Sequence, residues 1–226
     1  MATHALKDDK PIVLITGAAG NIGGSLAKVL ADTYRVVGLD RPGSKAEFPL
    51  VDGDLSNDES VGQAIAEFRQ EFGERIASVV HLAAYFDFTG EQNPLYRSIN
   101  VEGTRRLLPA LQSLEVEQLV YSGTMLVHAP GEPGEIIDED QPIAPKWAYP
   151  KSKADAEDVI RKEHGSVPFV LLHLAGLYDD ETAVPTLANQ IARIYERDVQ
   201  SYFYSGSTAA GQSMVHRDDM LDGFRR

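Results

Sequence analysis

The chain has 226 residues, 43% of them hydrophobic, with 34 acidic against 21 basic side chains and a formal net charge of −13. That length supports one domain with a sizeable core, and the acidic balance, with no long basic run, argues against nucleic acid and anionic membrane as partners. Cysteine is absent, which excludes disulfides, thiolate catalysis and zinc–thiolate sites.

The first ten residues are polar and charged, without the apolar core of a signal peptide. Residues 167–178, the most apolar later stretch, fall short of the ~20 needed to span a bilayer. A cytoplasmic protein is the expectation. Ile12, Val13, Leu14 and Ile15 form a β-branched run that predicts a strand buried on both faces. Thr16 and Gly17 end it, and Gly20 and Gly23 follow at three-residue steps. Ile22, Leu26, Val29 and Leu30 then recur at helical spacing, so a helix starts near Asn21. Strand, glycine turn and helix N-terminus in that order make a phosphate site, because the glycines admit the anion to unpaired backbone donors. The next strand, 35–39, ends in Asp40, near the ~20-residue offset of a carboxylate that takes ribose hydroxyls.

Pro42, Gly43 and Pro49 mark a turn-rich connection, and a short strand at Leu50 and Val51 leads into Asp54 and Leu55. Val61, Ile65, Phe68 and Phe72 share a helical face. Residues 77–82 read as a strand and 93–114 as mostly helix, which Pro109 should kink or divide. Another strand at 118–122 precedes a polar, proline-broken loop at 131–145. A helix over 147–164 and a strand over 167–174 follow. The remainder predicts a helix near 187–197, short strands near 200–204 and 213–216, and a brief helix capped by Asp218 through Met220 and Phe224. Tyr202, Phe203 and Tyr204 alternate and are expected in the core. Strands alternating with helices predict an α/β, Rossmann-type, doubly wound and mostly parallel sheet with helices on both faces, in one domain.

Tyr149 and Lys153 lie four apart, on one helix face, with Pro150 suited to the first turn. An ammonium beside a phenol favours the phenolate and lowers its pKa. The strand before them delivers Ser122 and Thr124 to the C-terminal sheet edge, where open α/β folds bind ligands. The alternative for Thr124 is a turn hydroxyl bonded to local backbone.

The glycine motif TGAAGNIG, the acidic strand end, the hydroxyl-bearing strand end and Tyr-x-x-x-Lys occur in this order over residues 11 to about 220. The chain thereby resembles the extended short-chain dehydrogenase/reductase superfamily, of NAD-dependent epimerase/dehydratase type. The resemblance implies NAD held by Gly17, Gly20, Asn21, Ile22, Gly23 and Asp40. It puts Asp54 and Leu55 at the adenine, and His81, Ala83, Ala84 and Ser122 at strand ends beside the cofactor. Asn100 would help hold the lysine through water. Tyr149 would be the general acid/base, Lys153 would tune it and hold the nicotinamide ribose, and Thr124 would bind the substrate oxygen. The implied activity is hydride transfer at an alcohol or carbonyl carbon, by a dehydrogenase or epimerase acting on a small sugar-nucleotide-like or other polyol or carbonyl substrate. A homodimer is compatible with it. An NADP-dependent carbonyl reductase, with Arg41 taking a 2′-phosphate, and a non-catalytic dinucleotide sensor are the alternatives.

Met125 and Leu126 stand where sugar-nucleotide dehydratases of this type carry Asp-Glu, which disfavours elimination. His128 replaces a common tyrosine and is expected as a packed or exposed substitution. His4, His164 and His173 have no ligand-spaced partners, so no metal site is expected. Tyr85, Phe86, Asp87 and Phe88 form a loop over the predicted cleft. The further lobe that usually grips substrate is not expected within 1–226.

Overall fold

A computed structural model describes residues 10–87, 91–131, 134–181, 185–203 and 211–225. Six parallel strands form the central sheet: β1 (Ile12–Thr16), β2 (Arg35–Asp40), β3 (Leu50–Asp52), β5 (Ser78–His81), β7 (Leu119–Thr124) and β8 (Phe169–Leu174), in the order β3-β2-β1-β5-β7-β8. The order reverses between β1 and β5, which opens a crevice at their C-terminal ends, where such sheets take ligands. Two short parallel pairs flank it: β4 (Arg75–Ile76) with β6 (Glu115–Val116), and β9 (Gly176–Tyr178) with β10 (Met214–His216).

Alternation along β1 divides the core. Leu14 joins Val37, Leu39, Leu119 and Tyr121 on the face covered by α2 (Asp58–Phe72), α3 (Glu102–Gln112) and α4 (Ala148–Glu163). Val13 and Ile15 point to the opposite face, against Leu26 and Leu30 of α1 (Asn21–Leu30). A further helix, α5 (Pro185–Tyr195), precedes α6 (Arg217–Arg225), whose Met220 and Leu221 are buried in that second cluster. Nine residues are too few for a helix stable alone, so this packing is what holds α6 in place. Asn57 caps α2, its side chain accepting from Ser60 N at 3.0 Å.

Two expectations are corrected. Pro109 lies inside α3, which it does not divide, since the helix runs on to Gln112; upstream, Tyr96–Val101 forms a π-helical turn. Residues Val199–Tyr202 form a 3₁₀ turn rather than a strand, and Tyr202 and Phe203 are 72% and 79% exposed, so they are not core. Tyr204, like Phe88 and His4, lies outside the described residues.

Candidate active site

The glycine turn is built on two close approaches. Gly17 adopts φ +69°, and a Cβ there would lie 2.9 Å from both Cα and N of Ala83, so β1 and the segment after β5 meet at a residue without a side chain. At Gly23 a Cβ would sit 2.5 Å from Gly17 O. Gly20 is exposed and serves as N-cap of α1 with no side-chain hydrogen bond to the first turn. The first-turn N–H groups of α1 therefore have no side-chain cap, which suits an anion. Asn21 is exposed beside them, and Ile22 turns inward against the core.

Asp40 ends β2 with its carboxylate against this turn. One oxygen accepts from Ala19 N at 2.8 Å, and the other from Arg41 N at 2.8 Å and Ser44 Oγ at 3.1 Å. Asp54 is braced by Ser56 N at 2.8 Å; that bond, first among its influences, and the Arg41 charge hold its carboxyl below the usual range. Leu55 next to it is buried.

His81 lies beneath the cleft rather than facing it, only 1% exposed with both ring nitrogens bonded. Thr104 Oγ1 donates to Asn100 O at 2.7 Å, so it must accept from His81 Nε2–H at 3.0 Å. That leaves His81 Nδ1 to accept from Thr16 Oγ1 at 2.6 Å, while Thr16 Oγ1 takes Ala83 N at 3.2 Å. Every proton is accounted for with a neutral ring. Burial first, then the nearby Lys153 charge, pushes the His81 pKa down to about 3. Ala83 is thus fixed through its backbone, and Ala84 after it is exposed.

Asn100, in the π-helical turn, is 2% exposed and uses its whole amide. Its oxygen accepts from Tyr85 N at 2.6 Å, and its nitrogen donates to Tyr85 O at 3.0 Å and Ser152 Oγ at 2.9 Å. Ser152 in turn donates to Tyr149 O at 2.7 Å. Asn100 therefore reaches the Tyr-x-x-x-Lys turn through the serine between the two residues. No motif points to Ser152; its position between Tyr149 and Lys153 is the only signal.

Tyr149 is the second residue of α4, a helix that packs against β7 and the turn after Thr124. Thr124 is 6% exposed and its hydroxyl accepts from Leu126 N at 3.3 Å, the local turn bond, which leaves the hydroxyl proton for another acceptor. Ser122, two residues earlier, is nearly buried. The Tyr149 ring packs edge-on to Phe86 at 4.6 Å and tilted to Tyr96 at 6.3 Å. Lys153 is 2% exposed, with Nζ 4.4 Å from the centroid of Tyr121.

The expected lowering of the tyrosine pKa is reversed here. Burial, with a smaller contribution from Tyr96, pushes the Tyr149 phenol up to about 12. Burial likewise brings the Lys153 ammonium down to about 8, against an opposing pull from Glu157. The lysine is turned onto the Tyr121 ring, and desolvation dominates both groups. His128 and His173 are joined, although the sequence offers His173 no partner at metal-ligand spacing. His128 Nε2 lies 2.6 Å from His173 Nδ1, and His173 Nε2 lies 3.0 Å from Glu157.

The model of the NAD dependent epimerase/dehydratase family matches residues 13–226. The N-acetyl-alpha-D-glucosaminyl-diphospho-ditrans,octacis-undecaprenol 4-epimerase of Escherichia coli O157:H7 is 29% identical over 158 residues, 69% of this chain and 44% of that protein. The 3-beta-hydroxysteroid dehydrogenase of Mycolicibacterium neoaurum is 29% identical over 172 residues, 73% of this chain and 46% of that protein. The chain spans about half the length of the curated relatives it matches. Among solved structures, the UDP-glucose 4-epimerase of Thermus thermophilus in complex with NAD superposes with a TM-score of 0.75 at 27% identity, covering 95% of this chain and 73% of that one. Among the described residues, no helix is long and apolar enough to cross a membrane.

Proposed function

The chain belongs to the NAD dependent epimerase/dehydratase family, and on that premise we propose that it is an NAD-dependent oxidoreductase acting at a secondary alcohol or carbonyl carbon. The observation that carries the reading is a single sheet edge. It holds an open glycine turn and Asp40 on one side of the strand-order reversal, and Thr124 with the first turn of α4 on the other. The glycine turn fits a pyrophosphate: α1 has no side-chain cap, and Gly20 leaves its N-terminus open. Asp40 fits ribose hydroxyls and repels a 2′-phosphate, which favours NAD over NADP.

Bound there, NAD supplies the hydride acceptor or donor. Asn100, acting through Ser152, fixes the backbone of Tyr149. Thr124 offers its hydroxyl proton to the substrate oxygen. A phenol that keeps its proton to about pH 12 is present in the acid form that carbonyl reduction uses. Alcohol oxidation needs the phenolate, so the Tyr149 pKa must fall when the cleft is filled. Phe86, 46% exposed and packed on Tyr149, gives the substrate side an apolar wall.

A sugar-nucleotide-like or other polyol or carbonyl substrate is the class proposed, on the footing of the relatives' names. Met125 and Leu126 offer no acid or base for elimination. Residues 1–226 are read as one dinucleotide-binding domain, because β1 and α6, near the two ends of the described chain, share one core face. A cytoplasmic location is part of the same proposal, and family resemblance supports a homodimer. The test is calorimetric NAD binding, followed by assay of epimer formation on UDP-sugars and NADH formation from hydroxysteroids and polyols. Tight NAD binding with neither activity would contradict the oxidoreductase reading and leave a dinucleotide sensor.

A further inference from the structure

Behind the proposed catalytic helix, four polar groups from three parts of the chain form one line: Gln141 O, His128, His173 and Glu157. His128 Nδ1 is 2.9 Å from Gln141 O, the two rings meet at 2.6 Å, and His173 Nε2 is 3.0 Å from Glu157 Oε1. The line is well enclosed. His128 is 6% exposed, Glu157 2%, and the His173 side chain 18%. The crossing at β7 is made where there is no side chain: a Cβ on Gly123 would lie 2.7 Å from Glu157 Oε1 and 2.8 Å from His173 Cδ2. The groups point at one another in series and do not converge on a common centre.

Proton counting gives this line a property that His81 lacks. A carbonyl only accepts, so His128 Nδ1 carries a proton. The ring-to-ring link needs a second proton, and a carboxylate oxygen facing a ring nitrogen needs a third. Two neutral imidazoles supply only two. The groups facing the line favour an ionised carboxylate. On α4, Arg161 Nη2 is 3.8 Å from Glu157 Oε2, and Lys153 precedes Glu157 by one turn. From β7, Tyr121 faces the line as a phenol whose pKa is raised, by burial first, so it brings no charge of its own.

We propose that His128 and His173 share one extra proton as an imidazolium paired with ionised Glu157, and that this proton shields Lys153 from the Glu157 charge. The two histidines are then positioning residues for the lysine. The inference about Lys153 rests on the function proposed above, but its readouts do not depend on turnover. The chain has six histidines, and ¹⁵N spectra of the histidine-labelled protein at pH 7.5 report which ring nitrogens bear protons. Three of the four nitrogens of His128 and His173 should be protonated in the wild type. In Glu157→Gln the amide itself can donate to His173, so the count should fall to two of four. Two of four in the wild type would overturn the proposal.

The second readout is the titration of the Lys153 side chain by NMR. Neutral His173→Gln leaves the Glu157 charge unshielded and should move the Lys153 midpoint upward from its wild-type value. In Glu157→Gln, charge and counter-charge are lost together, so the midpoint should stay within a few tenths of the wild-type value. An unmoved midpoint in folded His173→Gln would overturn the positioning role. Loss of the oxidoreductase reading alone would leave both spectra as stated, so the two failures are distinguishable.

Discussion

Replacing Gly17 and Gly20 in turn should separate folding from cofactor binding. Gly17 has φ +69°, and an added Cβ would lie 2.9 Å from two backbone atoms of Ala83. The left-handed conformation costs roughly 1–2 kcal/mol for an L-residue, and overpacking against rigid backbone a further ~1–3 kcal/mol. Gly17→Ala should therefore lose about 2–5 kcal/mol of stability. At roughly 2–4 °C per kcal/mol for a chain of this size, that lowers Tm by about 4–20 °C. Gly20 has φ −73°, is exposed, and its Cβ would meet only Gly17 O, at 3.2 Å. Gly20→Val should leave Tm within a few degrees while crowding the anion site. Loss of one charge-assisted hydrogen bond, worth ~1.5–3 kcal/mol, corresponds to roughly 10- to 150-fold weaker NAD binding. Thermal scans and calorimetric titration read the two effects. Normal NAD affinity in folded Gly20→Val, or an unchanged Tm in Gly17→Ala, would refute the reasoning.

Asp40→Ala should narrow the preference for NAD over NADP, read by parallel titrations; equal affinities in the unmodified protein would remove the role given to Asp40. The same variant should loosen the turn at Ala19, which loses its 2.8 Å partner. His81 is held neutral by the fold while its unfolded form protonates near pH 6.5, so its contribution is complete above 6.5 and is lost as pH falls toward about 3. The slope in that window should be about 1.4 kcal/mol per pH unit, and His81→Gln should flatten it in urea unfolding series. Lys153→Met should weaken both NAD binding and turnover, whereas Thr124→Val should lower turnover with little change in affinity.

The strand–turn–helix unit was legible because its signals are local: a β-branched run, glycines at three-residue steps, and an apolar helical period within Ile12–Leu30. The placing of Asp40 at a strand end, and of Tyr149 and Lys153 on one helix, was legible for the same reason. The π-helical turn at Asn100 was not, since it is held by bonds to Tyr85 and Ser152, and Pro109 does not divide its helix. Aromatic alternation at Tyr202 and Phe203 suggested a buried strand; an exposed 3₁₀ turn fits the same letters. The reversed Tyr149 pKa depends on burial, which helical spacing does not reveal. His128 and His173 are 45 residues apart in sequence, and His173 reaches Glu157 across the missing side chain of Gly123.

The central claim is that Tyr149 moves the proton while NAD is held by the glycine turn. The direct test is a pH–rate profile of Tyr149→Phe against the wild type on any accepted substrate, with NAD affinity measured alongside. General acid–base catalysis is typically worth ~10²–10⁴-fold, so kcat should fall by that factor while NAD affinity stays near wild type and the tyrosine-dependent limb of the profile disappears. Wild-type turnover by Tyr149→Phe across the pH range would contradict the account.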